Sequence, residues 1–131
     1  MLQQSHDIHH ALPHLDSVGS VRLGLLDAFT GICLTIFGTA QLVPNCNLWT
    51  YTAFVVMLTN VTFMNHSEYE WPWDCLFRMV GVVTPADHHI HHKYVRFNFA
   101  NAVVWWDRLG GTYRHPDMFP GCGKNVRSQL E

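Results

Sequence analysis

The chain has 131 residues, enough for one domain and too few for two. Hydrophobic residues make up 48% of the chain and charged residues only 14%, whereas a soluble domain carries roughly one quarter charged residues, so the composition indicates a membrane protein. The formal net charge is −2, which excludes the basic surface that a nucleic-acid partner requires.

Two further classes are set aside by cysteine spacing and by the start of the chain. The four cysteines are far apart and contain no C-x-x-C pair, which predicts reduced thiols rather than a zinc ribbon or a disulfide framework. Residues 1–13 have neither the basic start nor the apolar centre of a cleaved signal peptide. Any membrane insertion is therefore predicted to use internal segments.

The first histidine cluster, defined as His6, His9 and His10, lies near the beginning of the chain. Its H-x-x-H-H spacing places the three imidazoles on one face of a helix with about 3.6 residues per turn. Asp7 is an acid of the kind that an early helical turn favours, so we expect a short helix over residues 5–14.

Two apolar runs follow, and they predict membrane spans at about 24–43 and 48–65, each close to the roughly 20 residues that cross a bilayer as a helix. The polar turn 44–47 separates them. The predicted fold is therefore all-α, an integral membrane helical hairpin. We expect the polar cluster Thr59, Asn60 and Thr62 of the second span to face protein rather than to mark a substrate path.

The charges predict the orientation of this hairpin. All eight Lys and Arg residues lie outside the 44–47 turn, on the side that carries the histidines, and positive residues favour the cytoplasm. We therefore expect a histidine-rich cytoplasmic cap formed by residues 1–22 and 66–120, and a tail at 121–131. The whole chain would form a single unit.

The second histidine cluster, defined as His88, His91 and His92, opens a predicted helix. Thr84 is a good N-cap, and proline suits the first helical position, so the helix is expected to run from Pro85 to about residue 95. The three imidazoles again share one face through i, i+3 and i+4 spacing.

Two histidines outside these clusters were weighed separately. His66 ends the second apolar run, either as an interfacial histidine or as a ligand level with both clusters; the ligand interpretation is favoured because ionisable residues at membrane segments are usually functional. His89 is turned away from the shared face and is expected either to neighbour the ligands or to face solvent. For either cluster alone the alternative is a histidine-rich surface helix without metal, but two clusters of one design favour a paired-metal site.

After the second span, residues 74–83 predict a short interfacial helix, and residues 100–109 predict another that Gly110 and Gly111 stop. Asp107 admits two interpretations of equal weight. It is either an exposed charge in the turn that ends the helix, or a carboxylate that accepts the ring N–H of a metal-ligating histidine and so fixes its orientation.

With these motifs in place, the chain resembles the fatty acid hydroxylase/sterol desaturase superfamily over most of residues 5–116. The resemblance rests on both clusters, on the His66-Ser67 pair and on Asn98 followed by Trp106-Asp107-Arg108. The sequence of residues 108–113 is similar to that of the sterol C-5 desaturase branch. Asn98, with His89 and Asp107, is a candidate neighbour of the ligands.

The resemblance implies an integral enzyme of the endoplasmic reticulum membrane that holds two iron ions through histidines. Such enzymes use dioxygen and two electrons, with a cytochrome b5-type donor, to hydroxylate or desaturate a lipid substrate. Imidazoles bind iron, zinc or copper alike, so zinc is a possible substitute, although it cannot change oxidation state.

The chain also departs from the family pattern, because it contains neither the earlier H-x-x-x-H motif nor the preceding pair of spans, and because Phe99-Ala100 stands where members often have Tyr-Gly. We therefore expect an incomplete lipid hydroxylase or desaturase. The alternatives are a non-catalytic membrane metal-binding protein or inactive truncated paralogue, and a soluble histidine-rich helical protein.

Overall fold

The computed structural model describes residues 19–21, 23–67 and 69–119. These residues are mostly helical, and the only pairing of extended backbone among them is one bridge between Val82 and Val103. The helices are α1, Leu25–Leu42; α2, Leu48–Asn65; α3, Asp74–Val80; α4, Pro85–Tyr94; and α5, Trp105–Gly110. The predicted all-α class is confirmed, whereas the helix expected over residues 5–14, with His6, His9 and His10, and the tail 121–131 lie outside the described residues.

Helix α1 coincides with the first predicted span. Its mean hydropathy is 1.4, none of its residues is buried, and it alone among the described helices is long and apolar enough to cross a membrane. Its central part, Ala28–Phe37, is π-helical. The hydroxyls of Thr30 and Thr35 donate to the carbonyls of Leu26 and Thr30, at 2.9 and 3.1 Å, so these polar side chains are satisfied within the helix itself.

Helix α2 forms over the residues of the second predicted span. It begins after Asn47, whose side-chain oxygen accepts the N–H of Trp49 at 2.8 Å. The Tyr51 hydroxyl donates to the carbonyl of Ile36 at 3.3 Å, which places the start of α2 beside the later part of α1. The asparagines and threonines of α2 lower its hydropathy below that of a spanning helix, so the membrane hairpin stays a prediction.

The helix predicted over 74–83 is shorter in the structure and ends at Val80. Gly81 has a φ of +83°, which favours glycine, and an added Cβ there would lie 2.3 Å from Nε1 of Trp105. The backbone N–H of Val104 also donates to the Gly81 carbonyl at 2.9 Å. This close approach joins the end of α3 to the start of α5.

The helix predicted over 100–109 is wrong in its first half, since α5 begins only at Trp105. The Asp107 carboxylate accepts the backbone N–H groups of Phe99 and Ala100, at 2.9 and 2.8 Å, and thereby holds residues 98–104 as a loop. The predicted stop is correct, because Gly111 caps α5 with a φ of +68°.

Helix α4 lies at the centre of the buried part of the described chain. Its Ile90 is fully buried, and Val83 and Val104 pack nearby with about 1% of their surface exposed. Polar side chains outnumber apolar ones in this core. Buried polar groups are stable only when they are hydrogen-bonded, so the geometry of the candidate site depends on specific hydrogen bonds.

Candidate metal centre

The second histidine cluster is presented by a firmly capped helix. Thr84 and Asp87 form a reciprocal capping box at the start of α4, in which the Asp87 carboxylate accepts the Thr84 backbone N–H at 3.2 Å and its hydroxyl at 2.7 Å. Pro85 occupies the first helical position, and Val95 ends the helix in the left-handed region with a φ of +58°. Both ends predicted from the sequence are correct to about one residue.

Asp87 is also the centre of a buried ionic network. Its side chain is fully buried, lies 3.5 Å from Nε of Arg78, and accepts the Tyr113 hydroxyl at 3.1 Å. Burial raises the pKa of Tyr113 to about 12, and the adjacent Asp87 carboxylate contributes to that increase. Sequence reasoning missed this network, although the Thr-x-x-Asp spacing of the capping box was a signal for it.

Three imidazoles converge where α2 ends against α4. The ring nitrogens of His66, His88 and His92 lie within 4.8 Å of one another. Nε2 of His88 is 3.2 Å from Nε2 of His66 and 3.1 Å from Nε2 of His92. Residues separated by 22 positions in sequence thus meet at one point, and we call these three rings the histidine trio.

Two of the nearby histidines are oriented by backbone carbonyls. Nδ1 of His66 donates to the Thr62 carbonyl at 2.8 Å, and Nδ1 of His91 donates to the Phe97 carbonyl at 3.0 Å. A carbonyl oxygen can only accept, so Nδ1 carries the proton in each ring, and Nε2 keeps the lone pair in the neutral form. Such outer partners fix the tautomer of metal-ligating histidines.

Two of the three nitrogen pairs in the trio have a spacing that fits a shared transition-metal ion. With metal–nitrogen bonds of about 2.1 Å, nitrogens that share one tetrahedral or octahedral ion lie about 3.0 to 3.4 Å apart. The two Nε2–Nε2 distances, 3.1 and 3.2 Å, fall within that interval. Three neutral imidazoles are donors that iron, copper and zinc all accept, so the donor set could hold any of these metals and does not distinguish between them.

The remaining candidate ligands lie at different distances from this point. The ring of His91 is on the same side of α4, with its centroid 5.9 Å from that of His88 and 6.0 Å from that of His92. His89 is half-buried and outside the trio. The first histidine cluster falls in residues that the structure does not describe, so its part in the centre stays a prediction.

Asp107 and Asn98 support the centre through the backbone rather than through imidazoles. In addition to the two N–H groups of the 98–104 loop, Asp107 accepts the Thr112 hydroxyl at 2.6 Å. Of the two interpretations, the exposed charge is wrong, because Asp107 is 3% exposed, whereas its role beside the ligands stays a prediction. Asn98 donates to the carbonyls of Asp87 and Arg114, both at 3.0 Å, and so connects α4 to the segment after α5.

A cavity of about 410 Å³ opens onto the same histidines. His66, His88 and His91 line it where α2 ends, and the rest of its mostly apolar lining comes from α1, α2, the segment before α1 and the loop before α5. Thr59 and Thr62 also face the cavity, whereas Asn60 bonds back to the carbonyl of Val56 in its own helix at 2.7 Å. Thr62 also accepts the side-chain amide of Asn101 at 2.8 Å, and the expectation that the threonines do not mark a substrate path stays a prediction.

The fold and the site together define a helical protein in which a candidate imidazole metal centre adjoins an apolar cavity beside an exposed apolar helix. The fatty acid hydroxylase family model matches residues 1–112, and the chain belongs to that family. No solved structure matches it.

Curated relatives are lipid oxidoreductases by name. The chain is 44% identical over 117 residues to the alternative squalene epoxidase of Phaeodactylum tricornutum, which covers 89% of this chain and 34% of the relative. It is 50% identical over 65 residues to the Delta(7)-sterol 5(6)-desaturase of Saccharomyces cerevisiae, covering 50% of this chain and 17% of the relative. It is 27% identical over 134 residues to mouse cholesterol 25-hydroxylase, covering 96% of this chain and 43% of the relative. The chain thus spans less than half the length of each.

Proposed function

We propose that the chain forms part of a membrane-bound di-iron enzyme that oxidises a lipid with dioxygen. The observation that carries this proposal is the direct contact between cavity and metal site, since His66 and His88 belong to both. An apolar chain in the cavity would have one of its carbons at the imidazole end. A site that only stored metal would not require such a cavity.

Iron fits the proposal better than zinc, because oxidation of an unactivated C–H bond requires a metal that changes oxidation state. His66, His88 and His92 would hold one ion, and His91 with His6, His9 and His10 would hold the second. Bound iron would supply the activation of dioxygen. Among the protein's own groups, the Thr62 and Phe97 carbonyls orient His66 and His91, while the apolar walls of the cavity exclude water and position the lipid.

The proposed substrate class is a sterol or another apolar lipid, including fatty acyl and isoprenoid chains. The three relatives are named for an epoxidation, a desaturation and a hydroxylation. Insertion of oxygen places one atom of dioxygen in the lipid and the other in water, at the cost of two electrons and two protons. Desaturation uses the same electrons, removes two hydrogens and forms two waters. A cytochrome b5-type protein is the proposed electron donor.

The test combines this chain with the rest of a relative. We expect the chain, co-expressed with the part of the Phaeodactylum tricornutum relative that it does not match and supplied with ferrous iron and a reductase, to oxidise squalene or a Δ7-sterol. Mass spectrometry after reaction with isotopically labelled dioxygen would detect an inserted atom, or loss of two hydrogens. The matched control is the same complex carrying His88→Ala, which should form no product.

One outcome of this test favours the second candidate function. Retention of stoichiometric iron without oxidation of either lipid would contradict the enzyme and support a non-catalytic metal-binding membrane protein. The trio itself is compatible with this second function, because three imidazoles can bind a metal ion without a lipid substrate.

We further propose that α1 and α2 cross the endoplasmic reticulum membrane and that the histidines face the cytoplasm. Two native cysteines provide matched reporters, because Cys46 is exposed in the 43–47 turn and Cys75 is exposed on α3 beyond the histidine end of α2. In variants that keep one cysteine each, we expect an impermeant thiol reagent in sealed vesicles to label Cys46 only from the lumenal side and Cys75 only from the cytoplasmic side. Labelling of both from one side would contradict the hairpin.

A further inference from the structure

The cavity wall contributed by α1 contains one position without a side chain. Gly31 lines the cavity, one helical turn beyond Asp27 and a little over one turn before Ile36, which also line it. A Cβ built on Gly31 meets no atom within 4 Å. Gly31 is itself exposed, so a side chain added here would extend into open space at the edge of the cavity.

The two ends of the cavity differ in chemistry, and Gly31 lies between them. His66 ends α2 and marks the metal end. Ile36 marks the opposite end, because its carbonyl accepts the hydroxyl of Tyr51 near the start of α2. Leu58 faces the cavity two helical turns before His66. An extended chain that lies along α1 from the histidine end of the cavity to Ile36 passes Gly31.

We propose that Gly31 is a specificity-determining residue that sets how long an apolar chain the cavity accepts beyond the histidines. This inference rests on the proposed function, in which the cavity holds the lipid. A side chain at residue 31 fills space that the far part of a long lipid needs, while leaving the metal end open to short lipids. The residue at position 31 therefore selects the length of the bound chain. Because the length determines how far the chain reaches, it also determines which carbon lies at the histidines.

The test uses Gly31→Leu with a control on the same helix. Gly38 also has open space around a built Cβ, but it does not line the cavity, so Gly38→Leu adds the same atoms elsewhere. The probe is parinaric acid, a fluorescent polyene fatty acid, bound to the full chain in detergent and displaced by straight-chain primary alcohols of increasing length. Each buried CH₂ is expected to strengthen binding about fourfold until the cavity is filled.

We expect the rise in affinity to stop two or three methylenes earlier in Gly31→Leu than in the wild type, so that the longest alcohols bind more than about tenfold more weakly while short ones bind equally. Gly38→Leu should follow the wild type. An equal change for all chain lengths, or identical curves for the two leucine variants, would overturn the proposal. Leucine favours a helix over glycine, and circular dichroism would verify that each variant folds.

Gly31→Ala decides the matter if the leucine variant does not fold, because alanine adds a single methyl group. We expect the chain length at which the affinity of Gly31→Ala stops rising to be about one methylene shorter than in the wild type. An unchanged chain length would overturn the proposal. The displacement assay requires no turnover. A length shift without lipid oxidation would therefore support the role of Gly31 and count against the enzyme alone, whereas oxidation with no length shift would count against Gly31 alone.

Discussion

Replacing His88 with alanine is expected to abolish tight binding of iron(II) or cobalt(II) by the purified chain. Nε2 of His88 lies 3.2 Å from that of His66 and 3.1 Å from that of His92, so its ring is the shared member of the trio. Loss of an outer partner of a ligand alone costs roughly 10- to 100-fold in metal affinity. Loss of the central ligand should therefore exceed about 100-fold, measured by calorimetric titration and by metal analysis with mass spectrometry.

The control for this variant is His115→Ala. Nδ1 of His115 lies 3.3 Å from an Asp117 carboxylate oxygen in a short turn, outside the trio, so removal of this imidazole should leave metal affinity within about twofold of the wild type. Wild-type metal content in His88→Ala would contradict the assigned centre. Equal losses in both variants would point to nonspecific binding by surface histidines.

Replacing Asp87 with alanine is expected to cause the largest loss of folding stability of any single change considered for this chain. The carboxylate is fully buried and compensates Arg78, whose side chain is 25% exposed, while it also accepts hydrogen bonds from Thr84 and Tyr113. Removal of one partner from a buried pair costs about 3 to 5 kcal/mol. The partial exposure of Arg78 places the expected loss near 3 kcal/mol, measured by denaturant unfolding in detergent.

Asp117→Ala supplies the comparison, because the Asp117 side chain is 90% exposed and its ion pair with His115 lies at the surface. Its unfolding free energy should change by less than about 0.5 kcal/mol. If the two aspartate variants lost equal stability, the buried network would not be what holds α4 in place.

Local signals were sufficient to predict the helix that carries the second histidine cluster. Thr84, Pro85 and the i, i+3, i+4 spacing act within a few residues, so they could be recognised without knowledge of the tertiary structure. The apolar length of α1 is equally local. His66 was also proposed as a ligand because it ends an apolar run, and the structure places its ring beside those of His88 and His92.

Interactions between distant residues explain what could not be predicted. The stretch 100–104 contains no glycine or proline that would exclude a helix, yet the Asp107 carboxylate accepts the backbone N–H groups of Phe99 and Ala100 and keeps it irregular. Asn98 reaches the carbonyls of Asp87 and Arg114, which are 11 and 16 positions away. The cavity is formed by side chains of α1 and α2 together, and no pattern within either helix shows how the two will pack.

Val95 carries a cost that selection for stability alone would remove. A β-branched residue at a φ of +58° is strained, and glycine would adopt this turn without that penalty, of order 1 to 2 kcal/mol. The same turn brings the Phe97 carbonyl back to within 3.0 Å of Nδ1 of His91. The β-branched side chain of Val95 limits the backbone conformations that this turn can adopt, whereas glycine would allow more of them. A variant selected only for thermal stability would thus carry glycine at residue 95, and the orientation of the His91 ring would be less restricted.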